Sequence, residues 1–139
     1  MRRILLPCDG SENALRAVQY AATLAKEFPN VQVELLNVQD PVPQQIFSIM
    51  SAKQVTEFQA SAADTILDAA KRILDMAGVP YEARFRVGSP ASEIARHINE
   101  TACDAVMMGI RGLGLVAMVI GSVTTKVIHL VDVPVVLIK

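Results

Sequence analysis

A glycine-rich stretch near the carboxyl end of the chain has the composition and the setting of an anion-binding loop. Its glycine and polar positions are Gly109, Arg111, Gly112, Gly114, Gly121 and Ser122. An apolar run at 105–108, too short for a helix, precedes the stretch, and a helical apolar pattern begins at Val123. Glycines let the backbone approach an anion closely, and the first amides of a helix direct the positive end of its dipole toward it. Strand, loop and helix together predict a site for phosphate, and hence for a nucleotide.

Side chains in and beside this stretch refine the prediction. Ser122 is predicted to be the N-cap of the last helix, where its hydroxyl would join the amides around a phosphate. Arg111 would either attract phosphate or remain solvated, and both interpretations stay open. Lys126, one turn into the helix, is predicted to be a surface residue.

A second polar segment follows the first apolar run of the chain. Asp9-Gly10-Ser11 is turn chemistry, and Ser11 is predicted to cap the helix that begins there. The Asp9 carboxylate therefore has two interpretations. It is either a turn residue, or it accepts a hydrogen bond from a hydroxyl or amine of a nucleotide.

The cysteines and histidines indicate no further site. Cys8 and Cys103 form neither a disulfide framework nor a metal-ligand pair, and both are predicted to be buried and structural, although Cys8 lies beside the proposed pocket. His97 and His129 fall on different helices without a neighbouring Asp or Cys. Both are predicted to be surface or boundary residues.

Composition excludes several classes of protein. A chain of 139 residues with 52% hydrophobic and 19% charged residues predicts one compact domain spanning 1–139. A net charge of −1 and a pI near 6.1 argue against a nucleic-acid surface. No apolar run reaches the ~20 residues that a membrane helix needs, and the amino-terminal apolar stretch is too short for a signal peptide. The chain is predicted to be soluble and cytoplasmic, with a reducing compartment as the simplest setting for its cysteines.

Hydrophobic periodicity predicts five strands that alternate with four helices. The strands are expected at 4–7, 31–38, 81–87, 105–108 and 135–138, and the helices at about 11–28, 51–77, 90–100 and 122–130. A capping box at Ser51 and Gln54 begins the second helix. The apolar face of that helix is predicted to be Val55, Phe58, Ala62, Ile66, Ala69, Ile73 and Met76. The third helix is predicted to have Ser89 as N-cap and to bury Ile94, Ala95 and Ile98.

This alternation predicts the α/β class, an open parallel sheet with helices on both faces. The first and fourth strands are continuously apolar, as central strands are, whereas the third alternates and is predicted to lie at an edge. The fifth strand is apolar too, yet the sheet needs a second edge. An uncovered apolar edge is an aggregation liability, so we predict a homodimer through 135–138.

Four motifs together resemble the universal stress protein family. They are Ile4-Leu5-Leu6-Pro7-x-Asp9-Gly10-Ser11, the Gly109-x-Arg111-Gly112-x-Gly114 loop, Gly121-Ser122-Val123 and Asp132-Val133-Pro134-Val135. The resemblance covers the whole chain. It implies the Rossmann-like fold of adenine nucleotide alpha hydrolases, with a five-stranded sheet of order 3-2-1-4-5 and a dimer formed by the last strand.

The same resemblance implies a ligand and its contacts. In the ATP-binding branch, a Gly-x2-Gly-x9-Gly-Ser/Thr signature wraps the phosphates and ribose, while a first-loop Asp and a Val at the end of the second strand hold the adenosine. The residues that match in this chain are Pro7, Asp9, Val38, Gly109, Gly112, Gly121, Ser122 and Val123, with Arg111 as a further candidate. The expected cofactor is ATP, with Mg²⁺ or Mn²⁺ as the accompanying ion, at the carboxyl ends of the first and fourth strands.

The glycine signature is one residue short. Eight residues separate Gly112 from Gly121, where the ATP-binding signature has nine. Flexible backbone at Gly114 would absorb the difference, or the loop would tighten and displace Gly121 from the phosphates.

Three functions are compatible with these features. The favoured one is a nucleotide-dependent regulatory module in a stress response, with regulatory protein partners and no nucleic-acid or membrane partner. The alternative is a dimeric interaction protein of the same fold that binds no nucleotide, as the shortened loop would allow. An enzyme is not predicted, beyond slow hydrolysis of ATP, because the sequence has no Ser-Gly-Gly-x-Asp-Ser loop, no His-x-Gly-His and no Walker Gly-Lys-Ser/Thr.

Overall fold

The computed structural model describes residues 2–113 and 117–139, with the backbone alone described at 111–113 and 117–119. The strands are β1 (Arg3–Pro7), β2 (Gln32–Gln39), β3 (Tyr81–Val87), β4 (Ala105–Gly109), β5 (Arg111–Leu113), β6 (Ala117–Val119) and β7 (Val135–Ile138). The helices are α1 (Glu12–Glu27), α2 (Ala52–Ala77), α3 (Pro90–Thr101) and α4 (Ser122–Leu130), with a short 3-10 helix at Gln44–Ser48. None of the described helices is long and apolar enough to cross a bilayer.

The main sheet has the predicted topology. Its five parallel strands lie in the order β3-β2-β1-β4-β7, which is the expected 3-2-1-4-5 arrangement once the β5–β6 hairpin is set aside. The alternating strand β3 lies at one edge, as predicted. The last strand, β7, lies at the other, and each of its four residues is half-buried. The chain order reverses between β1 and β4, so a crevice is expected at the carboxyl ends of these two strands.

Two apolar cores separate the helices from the sheet. Helices α1 and α2 cover one face, where a row of alanines on α1 packs with Leu67, Ala70 and Leu74 of α2. Helices α3 and α4 cover the other face, around Leu36, Val106 and Ile94. The predicted caps at Ser11 and Ser51 are present, the second as a complete capping box with Gln54.

The predicted buried face of α2 is wrong by one position along the helix. Phe58 and Met76 are 63% and 90% exposed, and the buried residues after Val55 are instead Gln59, Ala63, Leu67, Ala70 and Leu74. Apolar residues occur on two adjacent stripes of this helix. The stripe that is buried carries two alanines, whose small side chains suit close packing against the alanine row of α1.

A tight contact at Gly109 joins the end of β4 to the first turn of α1. A Cβ added to Gly109 would lie 1.7 Å from the carbonyl oxygen of Asn13, a distance that no real contact permits. Arg16 adds a hydrogen bond from its guanidinium to the carbonyl oxygen of Ile110 at 3.0 Å. Glycine is therefore needed here by the packing of the protein on itself.

We expect Gly109→Ala to lower the free energy of unfolding by about 2–3 kcal/mol, because the added carbon has no space and a strand and a helix must separate to admit it. Gly121→Ala is the matched control, since no heavy atom of the described residues lies within 4 Å of the added carbon there. We expect it to cost less than about 1 kcal/mol, the scale of an N-cap change. Urea unfolding of both variants checks the difference, and equal stabilities would contradict it.

Candidate functional site

A cavity of about 440 Å³ opens where β1, β2 and β4 end. Seven of the nine predicted nucleotide contacts line it: Pro7, Asp9, Val38, Gly109, Gly121, Ser122 and Val123. These residues come from four separate segments of the chain, and they meet because parallel strands end at the same edge of the sheet. The structure therefore brings most of the predicted site together.

The remaining predicted positions lie in or beside the β5–β6 hairpin. Gly112 is a strand residue paired with Met118. The side chain of Arg111 and the whole of Gly114 lie outside the described residues. The segment that was predicted as a loop thus contains two short antiparallel strands, β5 before 114–116 and β6 after it.

The loop between β1 and α1 is fixed by hydrogen bonds to β2. The Cys8 amide donates to the carbonyl oxygen of Leu36 at 2.8 Å, and the buried Asn37 amide group donates to the carbonyl oxygen of Cys8 at 2.9 Å. Asp9 Oδ1 accepts from the Ser11 amide at 2.9 Å, so the predicted turn role of Asp9 is present. Asp9 Oδ2 forms no hydrogen bond with the described residues, and the side chain is exposed at the cavity.

The start of α4 forms the opposite side of the cavity. The prediction that Ser122 is the N-cap is wrong, because Gly121 is the cap and Ser122 is the first helical residue. A glycine with extended backbone can take the cap position without a side-chain hydroxyl. Lys126 is exposed, as predicted.

Thr124 is a polar cavity residue that sequence analysis missed. The side chain is 6% exposed, and its hydroxyl forms no hydrogen bond with the described residues. Among those residues, no side-chain oxygen or nitrogen that is sealed from solvent lacks a partner. Thr124 is thus a buried polar residue in the wall of the cavity. The sequence signal for this residue was its position two residues after Ser122, in the first turn of the helix.

The cavity has an apolar end and a polar end. Leu36, Val38, Pro90 and Ile94 form the apolar end, between β2 and the first turns of α3. The polar end lies between the β1–α1 loop and the start of α4. Among the described lining residues, Asp9 carries the one formal charge, so favourable potential for an anion comes from the amides at the start of α4. Such a cavity suits a ligand with one flat apolar part and one anionic part.

Cys8 lies in the cavity wall as a buried thiol, as predicted. Burial, helped by the neighbouring Asp9 carboxylate, raises the pKa of Cys8 to about 12. Burial is also the main cause of the raised pKa of Cys103. Because the thiolate is the reactive form, neither cysteine has the properties of a redox sensor or a nucleophile.

We therefore expect both thiols to resist iodoacetamide at pH 7.5 in the folded protein and to react fully in urea. Intact-mass spectrometry over a time course measures the number of labelled cysteines. Labelling of the native protein at the rate of a free thiol would contradict the assignment.

The prediction for His97 is wrong, whereas that for His129 is confirmed. His97 is 2% exposed and lies against Glu34 of β2, with 2.5 Å between Nε2 and Oε1. The partner is 63 residues away in sequence, so no local pattern could reveal it. His129 is exposed. Among the described residues, no three histidine, cysteine or acidic side chains are placed to hold a metal ion.

Comparison with known proteins places the chain among proteins that share this fold. The relatives include universal stress protein MJ0531 of Methanocaldococcus jannaschii, 29% identical over 99% of this chain and 82% of the relative. They also include universal stress protein YxiE of Bacillus subtilis, 30% identical over 99% of this chain and 98% of the relative.

Three solved structures have the same fold. One is a universal stress protein in complex with cAMP (TM-score 0.73, 21% identity, 99% and 97% of the two chains). Another is an Arabidopsis thaliana universal stress protein family protein with AMP bound (TM-score 0.69, 17% identity, 100% of this chain and 92% of that chain). The third is the universal stress protein from Archaeoglobus fulgidus in complex with dAMP (TM-score 0.68, 22% identity, 100% of this chain and 98% of that chain).

The sequence profile described as Universal stress protein family matches residues 1–139, the full length of the chain. The order of the strands in the sheet and the near-complete alignment with YxiE agree with that match. The chain belongs to the universal stress protein family.

Proposed function

We propose that this protein is an adenine-nucleotide-binding regulatory module that acts in the cytoplasm, with ATP as the expected ligand. The observation that carries the proposal is the cavity at the strand-order reversal, with an apolar end and a polar end that includes the buried Thr124. Neighbours with the same fold were solved with cAMP, AMP and dAMP, which supports an adenine nucleotide as the ligand class. Two free, buried cysteines are consistent with a reducing compartment.

Each part of the cavity has a role in this proposal. The adenine lies between Val38 and the first turns of α3, where apolar surface is available. Asp9 accepts a hydrogen bond from the ribose or the base. The phosphates lie at Gly121, Ser122 and Thr124, where the helix amides and two hydroxyls face them. Mg²⁺ or Mn²⁺ would be carried largely by the phosphates of ATP, since such ions in nucleotide sites bind few protein carboxylates.

A thermal unfolding scan with Mg-ATP, AMP and cAMP tests the proposal, with GTP as the control for base specificity. At ~100 times the dissociation constant, a ligand adds about 2.7 kcal/mol of stability, which for a chain of this size raises Tm by several degrees. Gly121→Ala should abolish most of the shift in Tm, because the added methyl group would occupy space that a bound phosphate needs. The Tm of the unliganded variant should change little, because the methyl group fits in the empty cavity. The proposal is wrong if no adenine nucleotide shifts Tm and none is released from the denatured protein.

The alternative function, a dimeric interaction protein without a nucleotide, has one specific observation in its favour. Gly112, which the ATP-binding signature uses, is paired with Met118 as a strand residue of the β5–β6 hairpin. Failure of the scan just described would favour this alternative.

Either function is compatible with a homodimer through β7, which we propose as the assembly. The carbonyl oxygens of Pro134 and Ile138 accept hydrogen bonds from the amides of Val106 in β4 and of Ile110, directly after it, so those peptide groups face inward. Because peptide groups alternate along a strand, those of Val135 and Leu137 face the open edge. A second copy of the strand would satisfy them and cover four half-buried apolar side chains.

Leu137→Pro removes an amide that faces the open edge, where proline is tolerated, and should dissociate the dimer. Val136→Pro is the matched variant, because it removes an amide directed at β4 and should destabilise the fold itself. Sedimentation equilibrium measures the mass against the 15.0 kDa of one chain. A wild-type chain that sediments as a monomer would refute the proposed assembly.

A further inference from the structure

Helix α3 forms one boundary of the cavity. Its residues Pro90 and Ile94 line the apolar end, opposite Val38 on β2. The width of this end, where the proposed function places the base, therefore depends on how α3 lies over the sheet. A displacement of α3 would change the contact with the base before it changed the polar end.

One guanidinium attaches α3 to the edge strand. Arg86 of β3 donates through Nε to Glu93 Oε2 at 3.0 Å and through a terminal nitrogen to Glu100 Oε2 at 2.9 Å. The same nitrogen lies 3.2 Å from His97 Nδ1. Residues 93, 97 and 100 form one stripe of the helix, nearly two turns long. The Arg86 side chain is 19% exposed, so this is a largely buried clamp.

The chemistry of His97 extends the clamp into the sheet. A guanidinium can only donate hydrogen bonds, so Nδ1 of His97 must accept from Arg86. Nε2 then carries the proton and donates to Glu34 Oε1 at 2.5 Å. This tautomer is assigned from the partners of the ring. Glu34 is 1% exposed and receives a second hydrogen bond from Arg3 Nε at 3.1 Å.

The clamp is charged and continuous with the cavity wall. The hydrogen bond from Arg86 lowers the pKa of Glu100, and the hydrogen bond to Glu100 raises the pKa of Arg86. Both groups are therefore ionised at neutral pH. Arg86 is paired in register with Val38 of the neighbouring strand, and Val38 lines the cavity. On the sheet, Arg86 of the clamp therefore lies beside Val38 of the cavity wall. On the other side, both the clamp and the apolar end of the cavity contact α3.

We propose that Arg86 is a positioning residue for the nucleotide base: through Glu93, His97 and Glu100 it holds α3 at the distance from β2 that the base requires. This inference rests on the proposed function and names the part of the site that sets affinity for the adenine. Exposed ion pairs contribute little. Removal of a buried partner is different, because it leaves Glu93 Oε2 and His97 Nδ1 without their donor and α3 must adjust. Glu93 Oε1 keeps its ion pair with Arg96 at 3.2 Å.

Isothermal titration with adenosine and with AMP tests the role, using Arg86→Met. Since the base end is affected, both compounds should bind about tenfold more weakly, by the same factor. Gly121→Ala should weaken AMP far more than adenosine, because it affects the phosphate end. Arg72→Met is the control, since Arg72 is an exposed residue of α2 paired with Asp68 and distant in the chain from α3. It should bind both compounds as the wild type does.

Two further variants keep the test decisive if Arg86→Met does not fold. Arg86→Lys retains one charged donor and should lose less affinity than Arg86→Met for both compounds. Glu100→Gln loosens the exposed end of the clamp without stranding a buried charge, and it too should weaken adenosine and AMP equally. Hydrogen exchange of the α3 amides at 94–98, which are bonded within the helix, should accelerate without nucleotide in each folded variant.

The outcomes separate this inference from the proposed function. Wild-type protein that binds neither adenosine nor AMP overturns the proposed function, and the positioning role falls with it. Normal wild-type binding, with folded clamp variants that bind both compounds unchanged, overturns the positioning role alone. A loss confined to AMP would overturn it as well, because the clamp would then act on the phosphate end.

Discussion

The site depends on the close approach of β4 to the first turn of α1. Strands β1 and β4 are neighbours, but the chain leaves them toward opposite faces of the sheet, and this divergence opens the crevice. At the floor of the crevice, Gly109 packs against the Asn13 carbonyl with no room for a side chain. That contact sets where α1 begins, and hence where Asp9 and Ser11 lie. A bulkier residue at 109 would move one whole side of the cavity.

Buried polar groups complete what this contact begins. Asn37 and the Cys8 amide hold the β1–α1 loop on β2, and Arg86 holds α3 on β3. In each case a polar side chain inside or beside the sheet fixes a segment that borders the cavity. A buried polar group without its partner is costly, so each of these bonds favours a single arrangement of loop and helix. The cavity is therefore shaped by hydrogen bonds that lie behind its walls.

The sequence predicts the architecture well because the relevant patterns are local. Continuous apolar runs indicated the central strands, and the alternation of 81–87 indicated an edge. Predicted site residues such as Asp9, which follows a strand end, and Gly121, which precedes a helix, line the cavity for the same reason. What the sequence could not show depends on packing between distant segments. His97 meets Glu34 from another strand, and the buried stripe of α2 is chosen by the alanines of α1, not by the most apolar side chains of α2 itself.

The glycines of the motif occupy positions with different structural requirements. Gly109 is explained by the packing of the chain on itself, and Gly112 is a strand residue of the hairpin. Gly109 requires no ligand as its explanation. Gly121 differs, because a Cβ added there would meet no atom of the described residues within 4 Å, and its cap position accepts glycine but prefers Ser, Asp or Asn. The space beside Gly121 is part of the cavity, at the start of the helix whose amides suit a phosphate. Gly121 is therefore the position at which the sequence motif, the open space and the proposed ligand are most directly connected.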